Sequence, residues 1–109
     1  MAGALQPATE PMRKTDKKID REIIRQLTLL CETAKDTHPG FIWLTHEANY
    51  QRFPQSLKVV LVFNDELSEG ALVSKFRDLV PKVQAALEPV IGQRLPAAQI
   101  EARQEHVLH

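Results

Sequence analysis

A chain of 109 residues is the size of one domain, long enough to bury a core without disulfide or metal staples. Fourteen Lys and Arg balance fourteen Asp and Glu, so no overall field draws the chain to nucleic acid or to an anionic membrane, and binding of that kind needs a local patch. Hydrophobic residues at 43% and charged residues at 26% are the mix of an ordinary globular domain, which excludes a disordered or membrane-embedded class.

Residues 1–11 are small, polar or proline and lack the basic start and apolar stretch of a secretion signal, so they read as a flexible leader, with one domain over residues 12–109. The lone Cys31 has no internal partner, which fits a reducing compartment, and the expected location is cytoplasmic. The longest strongly apolar run, residues 59–63, is far too short to span a bilayer.

In chain order, Ile19, Ile23, Leu27, Leu30 and Ala34 fall on one helical face, which predicts a helix over residues 16–35 capped by Thr15 or Asp16. His38, Pro39 and Gly40 end it. Residues 41–46, aromatic and β-branched after that breaker, predict a strand. Residues 47–56 form a polar connection, too long for a tight hairpin, that is expected to fold over the sheet or one of its ends. Residues 57–64 are the clearest strand, because Val59, Val60, Leu61, Val62 and Phe63 run consecutively and require cover on both faces.

Asp65, Glu66, Ser68 and Glu69 then supply caps and N-terminal negative charge for a second helix carrying Leu72, Phe76, Leu79, Val80, Val83, Leu87 and Ile91. Gly92 stops it, and Pro81 predicts a kink or break between residues 77 and 81. Within the tail, residues 97–109, the alternation over residues 99–108 predicts a third strand, although a helix aligning Ile100, Gln104 and Leu108 is the other reading. The order α-β-β-α-β gives an α+β two-layer sandwich, a three-stranded mixed sheet with both helices on one face, the last strand returning parallel to the second. Two helices cover one face only, so the other calls for the 47–56 loop, the tail or a second copy of the chain.

The segments MRKTDKKID (residues 12–20), GFIWLTH (40–46) and SLKVVLVF (56–63) resemble a family of small uncharacterised bacterial proteins sometimes labelled Fis-family transcriptional regulators, a likeness spanning most of residues 12–108. The resemblance implies a fold rather than an activity. A Fis-type protein ends in a helix-turn-helix, whereas the C-terminal third here holds Pro81, Pro89 and Pro96 and no such pair of helices. The element order is also similar to the minimal core of nucleotidyltransferases. That chemistry needs a Gly-Ser turn and paired carboxylates for magnesium, but residues 47–56 contain no glycine and residues 57–64 no acid.

Lys14, Lys18, Arg21 and Arg25 form a basic stripe on the first helix that could track a phosphate backbone, with Asp16, Asp20, Glu22 and Glu32 on the same helix arguing for an ordinary solvated surface. His46, Glu47, Tyr50 and Arg52 cluster at the end of the first strand, a strand length away from Asp65 and Glu66. His38 is the histidine expected to approach Asp65 and Glu66, as a polar pair that pins a loop. Phe41 and Trp43 on one side of the strand, with Ile100, are expected core or interface residues. Cys31 reads as a small buried hydrophobe.

The terminal His106 and His109 lack partners at metal-site spacing, and neither a metal nor a cofactor is expected. There is no Walker loop, dinucleotide turn or nucleophile elbow, and an enzyme is the minority expectation. The first functional expectation is a protein-interaction or regulatory adaptor acting as a homodimer through a sheet face or edge. The second is a nucleic-acid-binding accessory factor using the basic stripe, and the third a catalytically degenerate nucleotidyltransferase-like domain.

Overall fold

The computed structural model describes residues 14–106, with side chains from residue 15 onward. The leader and His109 lie outside the described residues, as does the side chain of Lys14. The elements are α1 (Lys14–Thr37), β1 (Phe41–Glu47), β2 (Lys58–Asn64), α2 (Glu69–Ile91) and β3 (Ile100–Glu105), with short 3-10 turns at Tyr50–Arg52 and Ala97–Gln99. β2 is the central strand, antiparallel to β1 and parallel to β3. This is the α-β-β-α-β order and three-stranded mixed sheet expected from the sequence, and the tail is a strand. No described helix is long and apolar enough to cross a membrane.

The apolar stripe of α1, through Ile23, Leu27 and Ala34, meets Leu79, Val83 and Leu87 of α2 and the Val59, Leu61 and Phe63 face of β2 in one core. Leu57, Leu95 and Ile100 close the ends of that core, and Phe41 meets Phe63 edge to face with ring centroids 5.6 Å apart. At roughly 25 cal/mol per Å² of apolar surface, this one cluster is the main source of stability. Gln84 is buried, its amide donating to the Leu95 carbonyl at 2.8 Å, and Gln99 donates to the carbonyls of Pro54 and Leu57 at 3.0 and 2.6 Å. These amides tie the approach to β3 to α2 and to the β1–β2 connection.

Three expectations are corrected. Thr15 and Asp16 lie inside the first turn of α1, where Asp16 places negative charge at the positive end of the helix dipole. α2 is capped by Ser68, closed by Gly92 at φ +78°, and runs unbroken through Pro81 and Pro89. Arg77 and Ala85, whose carbonyls lose a donor to those prolines, are on the exposed side, where water can replace it. Phe41 and Trp43 do not share a face. A β-bulge between them puts Phe41 opposite Phe63 in the core and Trp43 opposite Val62 on the other face.

The other face of β2 is flanked by the two edge strands, the tail strand β3 among them. Val60 and Val62 are 0% and 1% exposed within a single chain, flanked by Thr45 and Trp43 on β1 and by Glu101 and Arg103 on β3. Lys58 and Arg103 pair with Glu101 at 3.5 and 3.3 Å across this face. β2 is thus buried on both sides, as its sequence demands.

Candidate functional site: a cleft along the free edge of the sheet

β1 and β3 are the edges of the sheet, and they differ. β3 presents Glu101, Arg103 and Glu105, charges that discourage a further strand from pairing. β1 carries no acidic or basic residue from Phe41 to Thr45. Beside it lies a cleft of about 490 Å³ lined on one wall by Ile24, Leu27, Thr28, Cys31, Glu32 and Lys35 of α1 and on the other by Trp43, Leu44, Thr45 and His46 of β1.

Successive strand residues point to opposite faces, so a cavity lined by four in a row follows the backbone edge of the strand rather than either face. Ile24, 49% exposed, and Trp43, 41% exposed, flank this cleft. A larger depression of about 570 Å³ is lined by α2 alone, from Gly70 to Asp78, and is the outer surface of one helix.

One end of the cleft is closed by a polar cluster. His46 donates from Nε2 to Asp20 Oδ1 at 2.9 Å, and the Tyr50 hydroxyl donates to the same oxygen at 2.6 Å. Burial works to raise the pKa of Asp20, but those two hydrogen bonds and the nearby imidazole outweigh it, so the carboxyl titrates below its usual 3.8. Burial and the Asp20 carboxylate together push the Tyr50 phenol up. Tyr50 also stacks on Phe53 at 5.0 Å, so the 47–56 connection is pinned to α1 at the start of the cleft and packs its Phe53 against the core. Asp20 is the residue the sequence reading left out of this cluster. Its signal was an acid next to the apolar Ile19 on the flank of the α1 stripe.

His38 is buried past the end of α1, with Nε2 2.5 Å from Asp78 Oδ2 on α2 and Nδ1 2.7 Å from the Thr37 hydroxyl. The bond from His38 draws the pKa of Asp78 down. The acid that meets His38 is therefore Asp78, forty residues on, and Asp65 instead contacts His106 at 3.2 Å. Glu66 is exposed beside the Asn64 turn, its N–H bonded to Asn64 Oδ1. The His38 pair fastens α1 to α2 and fixes the α1 wall of the cleft.

Of the basic stripe, Lys18, Arg21 and Arg25 are exposed, and Arg25 is bridged to Glu22 at 2.8 Å. Of the three expected interface residues, Phe41 and Ile100 are core, and Trp43 alone is open to solvent. Cys31 is half-buried on the α1 wall. Among the described residues no group of three or more His, Cys, Asp or Glu is placed to hold a metal ion. Comparison with protein-family models, with curated proteins and with solved structures finds no match to this chain.

Proposed function

We propose that this chain is a small protein-interaction module that takes an extended segment of a partner along the free edge of β1, in the cleft beneath α1. The observation that carries the reading is the cleft itself: an uncharged strand edge, open along four residues and flanked by exposed Ile24 and Trp43. An added strand gains affinity from backbone hydrogen bonds, while the helix wall reads its side chains.

The occupant is better read as a partner segment than as β1 of a second copy. Three strands at ~4.8 Å spacing span about 10 Å between the outer two, and packed helices stand about 8–10 Å apart. Both helices therefore ride near the outer strands, α1 over β1, consistent with the direct packing of α1 on β1. Pairing β1 with its symmetry mate would bring the two copies of α1 to about 5 Å, closer than helices pack. A segment with no helix of its own avoids that clash.

The test is selection of binding segments from a displayed library of random peptides, followed by titration of the isolated chain. Trp43, the one tryptophan, reports binding by its fluorescence. Segments that change Trp43 emission and lose affinity when Ile24→Glu is introduced support the reading. An empty selection, or binders indifferent to Ile24→Glu, would overturn it.

A further inference from the structure

Resting on the reading of the cleft as a strand-accepting edge, we propose that the segment it takes is apolar at alternate positions and carries an acidic residue at each end, the two acids about six residues apart. The middle of the α1 wall is Ile24, Leu27, Thr28 and Cys31, which offers apolar and small side chains to alternate residues of an added strand. The ends of the wall are cationic. Lys35 lines the end nearest Trp43, and Arg21, one turn before Ile24 on the same side of α1, stands just past the end closed by Asp20 and His46.

Neither Lys35 nor Arg21 has a carboxylate partner among the described residues, whereas Arg25 is occupied by Glu22. Lys17, one turn before Arg21, extends the positive charge beyond it. Glu32 is the one acid lining the cleft, and Asp20 at its end is already engaged by His46 and Tyr50. Unpaired cations at both ends of a largely apolar trough complement anions at both ends of its occupant. The spacing follows from geometry. Arg21 and Lys35 are about 21 Å apart along a helix rising 1.5 Å per residue, and a strand covers that distance in about six residues.

The experiment uses the intact chain and three end-capped peptides. Two are seven residues long with alternating valine and threonine between terminal residues that are either both aspartate or both lysine, and the third is a five-residue aspartate-ended version. Affinity is read from Trp43 fluorescence and by calorimetry at low and physiological salt. The seven-residue aspartate peptide is expected to bind roughly tenfold more tightly than the lysine one, from two partly exposed ion pairs. That advantage should shrink with salt, and the short version should lose it.

Combined Arg21→Glu and Lys35→Glu, both at the surface, should reverse the preference. Equal binding of the aspartate and lysine peptides, or an unreversed preference in the double variant, overturns the charge inference while leaving the cleft reading intact. Recovery of only acid-free segments from the library does the same. If no designed or selected segment binds at all, both fall together.

Discussion

Gly40 turns the chain from α1 into β1 at φ +95°, and its carbonyl accepts the Asn64 N–H at 2.7 Å, so it fixes where β1 begins beneath the helix. A methyl at this position would sit 2.7–2.8 Å from three side-chain carbons of Leu67. Gly40→Ala therefore carries two penalties: about 1–2 kcal/mol for a left-handed residue with a Cβ, and about 1–3 kcal/mol for pushing Leu67 out of its packed position.

Gly92 separates the two effects, because its φ is +78° and nothing lies within 4 Å of an added Cβ. Gly92→Ala should cost only the backbone share. For a domain of this size the difference between the variants corresponds to a melting temperature lower by roughly 5–15 °C for Gly40→Ala. Thermal and urea unfolding followed by circular dichroism measure both, and the pair Gly40→Ala with Leu67→Ala should be less destabilised than the sum of its singles. The reasoning is refuted if Gly40→Ala is no worse than Gly92→Ala, or if the double variant shows no such coupling.

Other expectations follow from the same contacts. Asp20→Asn should lose about 1–2 kcal/mol near neutral pH as the bonds from Tyr50 and His46 weaken, measured by urea unfolding. Asp20 and Asp78 both titrate below 3.8 when folded, so the unfolded chain takes up protons first on acidification. Their stabilisation is complete above about pH 5 and is lost as pH falls through the carboxylate range, and Asp20→Asn should flatten that dependence. Pro81→Ala restores an N–H to the unbroken α2 and should stabilise by about 1–3 kcal/mol; a loss of stability would mean that the proline ring packs in a way its exposure does not suggest. Leu61→Ala in the fully buried centre of β2 should cost about 2–5 kcal/mol, read by the same unfolding curves. Light scattering of the isolated chain should give the 12.4 kDa of one copy.

The elements were legible because their periodicities are strong. Five apolar residues in succession made β2 central, and the 3.6-residue stripes made both helices. What the sequence could not convey was pairing at a distance. Asp20 and His46 are 26 residues apart and His38 and Asp78 forty, and each pair meets only because α1 lies over β1 and against α2. The β-bulge was equally hidden, since Phe41 and Trp43 follow a clean alternation and one extra residue turned Trp43 out of the core. The continuity of α2 depended on which side of the helix Pro81 and Pro89 occupy, a matter of tertiary packing rather than of proline itself. The cleft has no motif because half of it is backbone. An open strand edge is a property of topology, and only the absence of charge from Phe41 to Thr45 marked it in advance.

The most direct measurement is the backbone amide spectrum of the isotopically labelled chain as a selected peptide is titrated in, with hydrogen exchange on the complex. Strand addition should concentrate the shift changes in β1 and along the α1 wall at Ile24, Thr28 and Cys31, and should newly protect β1 amides that face the cleft. Changes confined to β3, to α2 or to the outer face of α1 around Lys18 and Arg25, with β1 exchange unaltered, would contradict the account.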